Sequence, residues 1–328
     1  MKMLVTGGLG FIGSNFILNV LKNHDEIKIV NVDAELYGSN KENLKDIQGS
    51  KNYEFVKGNI NDYRLMDKLI SNCDAIVNFA AESHVDRSIK NAKPFIDSNL
   101  IGVFNILEII RKQRKKFLHV STDEVFGSLK SESADENFRL NPSSPYAASK
   151  ASAELLINSY IITYGCNILV TRCTNNYGPR QFPEKLIPKV IILAAQNKKI
   201  PLYGSGKNIR DWIFVDDHCD AIMKVLQQGK NGEFYNISAD NEIDNLSIIK
   251  EILSIMNKST DLIEFVDDRP GHDFRYSLNS SKIRRELNWS PKSEFHEGLK
   301  NTVKWYLENK DWWSKINERE FNVTPWKN

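Results

Sequence analysis

The stretch Thr6-Gly7-Gly8-Leu9-Gly10-Phe11-Ile12-Gly13-Ser14 follows an apolar run, Lys2–Thr6, and opens an amphipathic one, Phe11–Lys22. Gly7, Gly10 and Gly13 have GxxGxxG spacing. The first such glycine turns the chain sharply, the second lets backbone approach a pyrophosphate, and the third lets helix and sheet pack closely. The helix N-terminus adds amide donors and positive potential. Glycines alone mark many turns. A strand before and a helix after make this one a dinucleotide-binding turn. Asp33 ends the second apolar run, twenty residues past Gly13. A carboxylate there accepts hydrogen bonds from ribose hydroxyls and repels a 2′-phosphate, which favours NAD over NADP. Asn59 and Asp62 follow the third run, where a side chain reaches an adenine ring or simply shapes a turn.

Outward from this turn, apolar runs alternate with helix-length segments. Strands are expected at Lys2–Thr6, Ile27–Val32, Tyr53–Val56, Ala75–Phe79, Phe117–Ser121 and Asn167–Arg172. Helices are expected at Phe11–Lys22, Tyr63–Ser71, Ser98–Arg114 and Pro145–Tyr164. Near-continuous apolar strands suit a sheet covered on both faces. Strands linked through helices imply right-handed crossovers and a parallel sheet. The expected fold is therefore α/β, a doubly wound Rossmann-type parallel sheet with a smaller, mostly helical C-terminal substrate-binding domain. Residues 1–174 form the cofactor-binding part. Ile213–Val215 and Glu233–Ile237 are expected to return to its sheet, so 213–237 belongs with it. Residues 175–212 and 238–328 form the substrate part, with Trp305, Trp312 and Trp313 covering apolar surface.

The chain has 328 residues, 41% of them hydrophobic, enough for one large domain or two closely joined ones. Forty-four basic and 42 acidic side chains leave a net charge of +2. That balance gives no electrostatic footprint for nucleic acid or an anionic membrane. The basic cluster from Arg111 to Lys116 reads as a solvated helix end, where cations suit the dipole. No stretch approaches the ~20 apolar residues of a membrane span, and the N-terminus lacks a secretion signal. Cys73, Cys166, Cys173 and Cys219 have no CxxC spacing and read as buried thiols of a cytoplasmic protein. His84 and His272 lack companion ligands, so no metal site is expected.

Two further motifs carry chemistry. Tyr146 and Lys150 in Tyr146-Ala147-Ala148-Ser149-Lys150 stand one helical turn apart on one face. A phenol of pKa ~10 is a poor base at neutral pH. A neighbouring ammonium and a positive nicotinamide ring favour the phenolate. Tyr146 is thus placed to take a proton from a sugar hydroxyl as hydride leaves for NAD, and Lys150 to hold the nicotinamide ribose. Upstream stands Thr122-Asp123-Glu124. Adjacent strand residues point to opposite faces, so both carboxyls reach one site only if the strand ends near Thr122. Two close carboxyls in a low dielectric disfavour double ionisation, which separates their roles.

On these motifs the chain resembles the extended short-chain dehydrogenase/reductase family, in its nucleotide-sugar 4,6-dehydratase branch. Further strings carry the likeness along essentially the whole chain: Asn78 to Ser88, Ser121 to Val125, Arg172 to Pro179, Phe182 to Pro188, Arg210 to His218, and Asp268 to Asp273. The resemblance implies C4 oxidation of a nucleotide-linked hexose by Tyr146 and NAD, with Thr122 hydrogen-bonding the C4 oxygen. Glu124 would remove the C5 proton and Asp123 protonate the departing C6 hydroxyl. Hydride then returns to C6, so NAD would be recycled and tightly bound. The substrate implied first is dTDP-glucose, with a UDP-linked or other nucleotide hexose as the alternative. A sugar-nucleotide 4-epimerase would share the fold and the Tyr/Lys pair but needs no Asp/Glu pair.

The family positions for the cofactor correspond to Gly7, Gly10, Phe11, Ile12, Gly13, Asp33, Asn59, Ile60, Ala80, Ala81, Ser98, Tyr146, Lys150 and Asn176. Those for the substrate correspond to Ser83, Asn175, Lys185, Leu186, Pro201, Tyr203, Arg210, Asn245, Arg269 and His272. Arg210 and Arg269 suit a diphosphate because a guanidinium fork binds two oxygens. The resemblance also implies a homodimer through the Ser98–Arg114 and Pro145–Tyr164 helices. Three positions depart from the family pattern: Phe126 for a tyrosine, Asn59 for an acidic residue, and Arg180-Gln181 after Gly178-Pro179.

Overall fold

A computed structural model of the protein describes residues 1–316. Twelve strands are present among them: β1 Lys2–Thr6, β2 Lys28–Asp33, β3 Tyr53–Lys57, β4 Ala75–Asn78, β5 Lys116–Thr122, β6 Ile168–Cys173, β7 Asn175–Tyr177, β8 Ile200–Tyr203, β9 Ile209–Phe214, β10 Phe234–Ile237, β11 Glu242–Asp244 and β12 Ile263–Val266. Seven of them make one sheet in the order β10-β6-β5-β4-β1-β2-β3. All its pairings are parallel. β4 and β6 are buried along their whole length, as strands with helices on both faces must be. One core gathers Phe16, Ile17, Leu118 and Tyr235 on one face of the sheet. Another gathers Ile76, Ile106, Phe117 and Ile157 on the other.

The expected helices form with local support. Ser144 Oγ accepts from Ala147 N at 3.1 Å, and Pro145 occupies the first turn of the Pro145–Tyr164 helix. Both are favoured at that position. Gly165 ends it in the left-handed region, φ 60°. Asp62 caps the Tyr63–Ser71 helix through Leu65 N at 3.0 Å, so the turn reading applies to it. The Ser98–Arg114 segment starts earlier than expected. A helix begins at Lys93, widens to a π turn over Asp97–Ile101 and continues as Gly102–Gln113. In the wide turn Asn99 is buried, joined to Glu82 N at 2.9 Å and to Ser149 Oγ at 2.9 Å.

Ile213–Val215 does not return to the main sheet. β9 is instead the middle strand of a separate sheet ordered β11-β9-β7, and Val215 opens the Val215–Gln228 helix. The reason lies in strand alternation. Ile213 reaches the core of the main sheet while Trp212 enters a different core. A strand shared between two cores carries the same apolar signal as one inside a single sheet. β10 does pair with β6, and the Val215–Gln228 helix packs on the Phe11–Asn23 helix.

The other core is built apart from the main sheet. It holds Ile187, Ile191, Ile248, Ile252, Leu299, Trp312 and Trp313, drawn from four helices: Leu186–Ala195, Asn245–Ile255, Phe295–Glu308 and Lys310–Ser314. Trp305 is half-buried at its margin. One C-terminal piece departs from the expected division. Ile283 and Leu287 of the Ser281–Leu287 helix, with Trp289, join the core of the main sheet. All four cysteines are buried and free.

Candidate active site

A cleft of about 520 Å³ opens at the carboxyl ends of the parallel strands, where open α/β sheets bind ligands. One end is built on the glycine turn. Gly7 has φ 70°, and a Cβ on it would lie 2.6 Å from Ala80 N. A Cβ on Gly13 would lie 2.5 Å from Gly7 O. These two positions admit no side chain. The Phe11–Asn23 helix starts from Gly10 with no side-chain cap, so its first-turn amides are left for an external acceptor. Gly10, Phe11, Ile12 and Gly13 all line the cleft. Asp33 is buried there. Its Oδ2 accepts from Leu9 N at 3.0 Å, and its Oδ1 from Glu35 N and Ser39 Oγ at 2.8 Å each. Asn59, Ile60, Ala80, Ala81, Ser98 and Asn176 complete this end. Uncapped amides beside a cradle with no room for side chains, and a carboxylate at the end of β2, fit an adenine dinucleotide.

The other end holds the acid–base groups. β5 ends at Thr122, and Asp123–Phe126 turns into a short 3-10 helix. Thr122 caps that turn, accepting from Glu124 N at 3.3 Å and donating to Asp123 Oδ1 at 3.1 Å. The strand end removes the alternation that would have separated the two carboxyls, and both line the cleft with Tyr146 and Lys150. Burial pushes the Asp123 carboxyl well above its ordinary range, and Glu124 beside it adds to the shift. Asp123 Oδ2 is buried and has no hydrogen-bond partner among the described residues. Burial also raises Glu124, against the pull of Arg269, Lys185 and Arg210. The arrangement therefore favours a protonated Asp123 beside a more readily ionised Glu124.

Tyr146 behaves differently from expectation in the protein alone. Burial, then Glu124, push its phenol well above its ordinary value, against a Thr122 hydrogen bond. Lys150 is held from behind: its Nζ lies 2.7 Å from Val120 O and 3.2 Å from His119 Nε2. A phenolate here needs the positive charge that an oxidised nicotinamide brings.

The residues expected to meet substrate divide. Ser83, Asn175 and Lys185 line the cleft, and Lys185 Nζ donates to Ser83 O at 2.9 Å. Leu186, Pro201, Tyr203, Arg210, Asn245, Arg269 and His272 are not in its lining. Leu186 opens the helix after Lys185. Pro201 pairs with Glu264 across β8 and β12. Asn245 N bonds Asn208 O at 3.1 Å. Arg269 Nη1 bonds Asp86 Oδ1 at 2.8 Å, and Tyr203 donates to the same carboxylate at 3.3 Å. Arg269 Nε is buried and without a partner among the described residues. Arg210 points its guanidinium at the carbonyls of Ile209 and Asp273, at 2.7 and 2.9 Å, beneath the Tyr276 ring. His272 Nδ1 lies 2.6 Å from Asp268 Oδ1, with burial pushing its imidazole down to about 4.

Several groups in and behind the cleft were not singled out from sequence. Tyr276 lies 3.5 Å from Glu124 Oε2 and donates to Asp273 Oδ2 at 2.7 Å. Tyr37 donates to Glu184, and Arg87 lies 3.6 Å over the Tyr37 ring. Asp86 and Asp273 stood inside quoted strings, so a search for counter-ions to Arg269 and Arg210 would have reached them. Of the departures, Phe126 is buried edge-on to Phe138, with Arg172 4.8 Å over its ring. Arg180 has φ 69° and bonds Asn15 Oδ1 at 3.3 Å, while Gln181 donates to Asn176 O at 2.8 Å.

Known proteins resemble the chain over nearly its whole length. The family model described as GDP-mannose 4,6 dehydratase matches residues 4–302. A dTDP-glucose 4,6-dehydratase of Mycobacterium tuberculosis is 41% identical over 322 residues, 97% of either chain. The crystal structure of the Bacillus anthracis dTDP-glucose 4,6-dehydratase in complex with NAD superposes with a TM-score of 0.92 at 45% identity, covering 97% of this chain and all of that one. The Streptomyces venezuelae dTDP-glucose 4,6-dehydratase, also with NAD bound, gives 0.95 at 42% identity over the same shares. With its glycine cradle, its Asp/Glu turn and these relatives, the chain belongs to the GDP-mannose 4,6-dehydratase family of nucleotide-sugar dehydratases, alongside the dTDP-glucose 4,6-dehydratases.

Proposed function

We propose that the protein is an NAD-dependent dTDP-glucose 4,6-dehydratase that converts dTDP-glucose to dTDP-4-dehydro-6-deoxyglucose. The observation that carries this reading is the turn at the end of β5, which puts a raised Asp123 and Glu124 in one cleft with Tyr146. The chemistry that bound NAD supplies is reversible hydride acceptance, from C4 first and back to C6 at the end. Tyr146 takes the C4 hydroxyl proton while Thr122 hydrogen-bonds that oxygen. The resulting ketone acidifies C5, and Glu124 removes its proton. Asp123, kept protonated by burial, gives its proton to the C6 hydroxyl, which leaves as water, and a proton returns to C5 as hydride reaches C6. Gly7, Gly10, Phe11, Ile12, Gly13 and Asp33 would hold the dinucleotide, and Lys185 in the cleft, with Arg269 and Arg210 acting on Glu124 from outside its lining, would draw the substrate diphosphate.

We further read the enzyme as a cytoplasmic homodimer. Leu155 and Ile162 on the Pro145–Tyr164 helix, with Ile101 and Phe104 on the neighbouring one, are exposed. Large apolar side chains grouped on paired helices suit a subunit contact. For location, the support is four buried free thiols and the absence of any described helix long and apolar enough to cross a membrane.

Mass analysis of products from a panel of nucleotide hexoses tests the function. With dTDP-glucose the expected product has lost one water, with no net reduction of the cofactor. A product of unchanged mass would mean epimerisation. Faster turnover of a UDP-linked hexose would reassign the substrate.

A further inference from the structure

A polar rung crosses the main sheet behind the cleft. Thr6, Asn78 and His119 are directly registered partners on β1, β4 and β5. Their side chains meet in line. Thr6 Oγ1 lies 2.5 Å from Asn78 Oδ1, Asn78 Nδ2 lies 3.0 Å from His119 Nδ1, and His119 Nε2 lies 3.2 Å from Lys150 Nζ. All four residues are buried. Buried polar groups must satisfy one another. Here they do so in a single line that ends on the lysine of the Tyr/Lys pair.

Proton counting limits what this line can do. An amide has one accepting and one donating end, and a neutral imidazole has one of each. An ammonium on Lys150 needs a bare Nε2, hence a proton on Nδ1. Asn78 must then turn its oxygen to His119 and its nitrogen to Thr6. With Asn78 Nδ2 towards Nδ1 instead, Nε2 carries the proton and Lys150 must accept it as an amine. Burial, then the Lys150 charge, push the His119 ring well below its ordinary range, so a doubly protonated ring is disfavoured. Burial lowers Lys150 to about 8, against Glu154 and Cys173, which brings both of its states within reach near neutral pH.

We propose that His119 is a positioning residue for the Tyr146–Lys150 pair: it holds Lys150 Nζ, and the tautomer imposed on it by Thr6 and Asn78 decides whether Lys150 serves Tyr146 as an ammonium or as an amine. The working state is the ammonium, with Nε2 as its acceptor; it requires Asn78 turned from the orientation given above, exchanging its oxygen and nitrogen about one side-chain bond. This assignment rests on Tyr146 being the base, as read above. Tyr146 stands one helical turn before Lys150 and lines the same cleft, and the other titratable groups acting on Lys150 are Glu154 on its own helix and Cys173 on β6. Glu154 is already paired with Arg172 at 2.8 Å. Tyr146 in turn faces Glu124, Asp123 and Cys173.

The test is a pH titration of Tyr146 in the NAD-loaded protein without substrate. It is read as the near-ultraviolet phenolate absorbance that Tyr146→Phe removes, so it works whichever sugar the enzyme takes. In His119→Phe the ammonium loses its acceptor and gives up its proton at lower pH. Tyr146 then ionises at higher pH, by about one unit, a tenfold loss of phenolate at neutral pH. His119→Gln, whose amide oxygen can accept from Lys150, returns the titration towards wild type. His119→Leu serves if the Phe variant does not fold. An unmoved or downward-shifted titration in the apolar variant overturns the proposal, as does a Gln variant displaced as far as the apolar one. Failure of the wild type to dehydrate dTDP-glucose, with Tyr146 still titrating as described, would overturn the substrate reading alone.

Discussion

Asp123 and Glu124 are chemically near-equivalent and adjacent, yet their surroundings pull them apart. Both are raised by burial, but more cations face Glu124, and only Asp123 keeps an unpartnered buried oxygen. The sign of the pH dependence follows. The proton on Asp123 is present below its raised pKa and lost above it, so elimination should fail on the alkaline side. Glu124 must be ionised, so elimination should fail on the acid side, at a pH above its ordinary value. Substituting Asp123→Asn should lower turnover by about 10²–10⁴ while leaving C4 oxidation intact. A single turnover should then leave reduced cofactor standing, visible by absorbance; Tyr146→Phe should leave none. These residues were legible because their spacing is chemical. Their supports were not: Tyr276 and Asp273 come from far along the chain, and His119 sits in an apolar run whose pattern reads only as strand.

At the scale of elements, a buried ion pair helps fix the Pro145–Tyr164 helix to the sheet. Arg172 on β6 donates to Glu154 through Nε at 3.0 Å and Nη2 at 2.8 Å. Its guanidinium lies 4.8 Å from both the Phe126 and the Phe234 ring. Removing one partner leaves a buried charge uncompensated, so Glu154→Ala should cost about 3–5 kcal/mol, read as a lower urea midpoint. Phe126 thus has a packing duty beneath Arg172 and edge-on to Phe138, neither of which asks for a hydroxyl. The glycine turn and the first strands were legible because the parallel sheet writes a nearly unbroken apolar run for each strand. β9 was not, because its two faces serve different cores. The π turn at Asp97–Ile101 was hidden too, since an inserted residue leaves composition unchanged.

At the scale of the whole molecule, the exposed apolar side chains on the paired helices predict assembly. Leu155→Lys with Ile162→Lys should turn a dimer into a folded monomer in sedimentation, since both side chains are exposed and their loss takes nothing from a core. The division between the two lobes was only partly readable, because a short helix such as Ser281–Leu287 has an apolar face that names no partner. Its placement has a consequence for how the protein comes apart. The chain runs from the sheet's core into the second core, returns with Ile213, Val215 and Tyr235, crosses to Ile248 and Ile252, returns again with Ile283, Leu287 and Trp289, and leaves for Leu299 and Trp312. Each lobe is closed by a segment that the other lobe's chain must deliver. Neither lobe is then a self-contained folding unit, and the opening of one withdraws contacts from the other. Such stitching makes the cleft between them a product of the complete chain: a nick near residue 175 would not release a competent dinucleotide-binding fragment, because its last strand and a closing helix lie downstream of the cut.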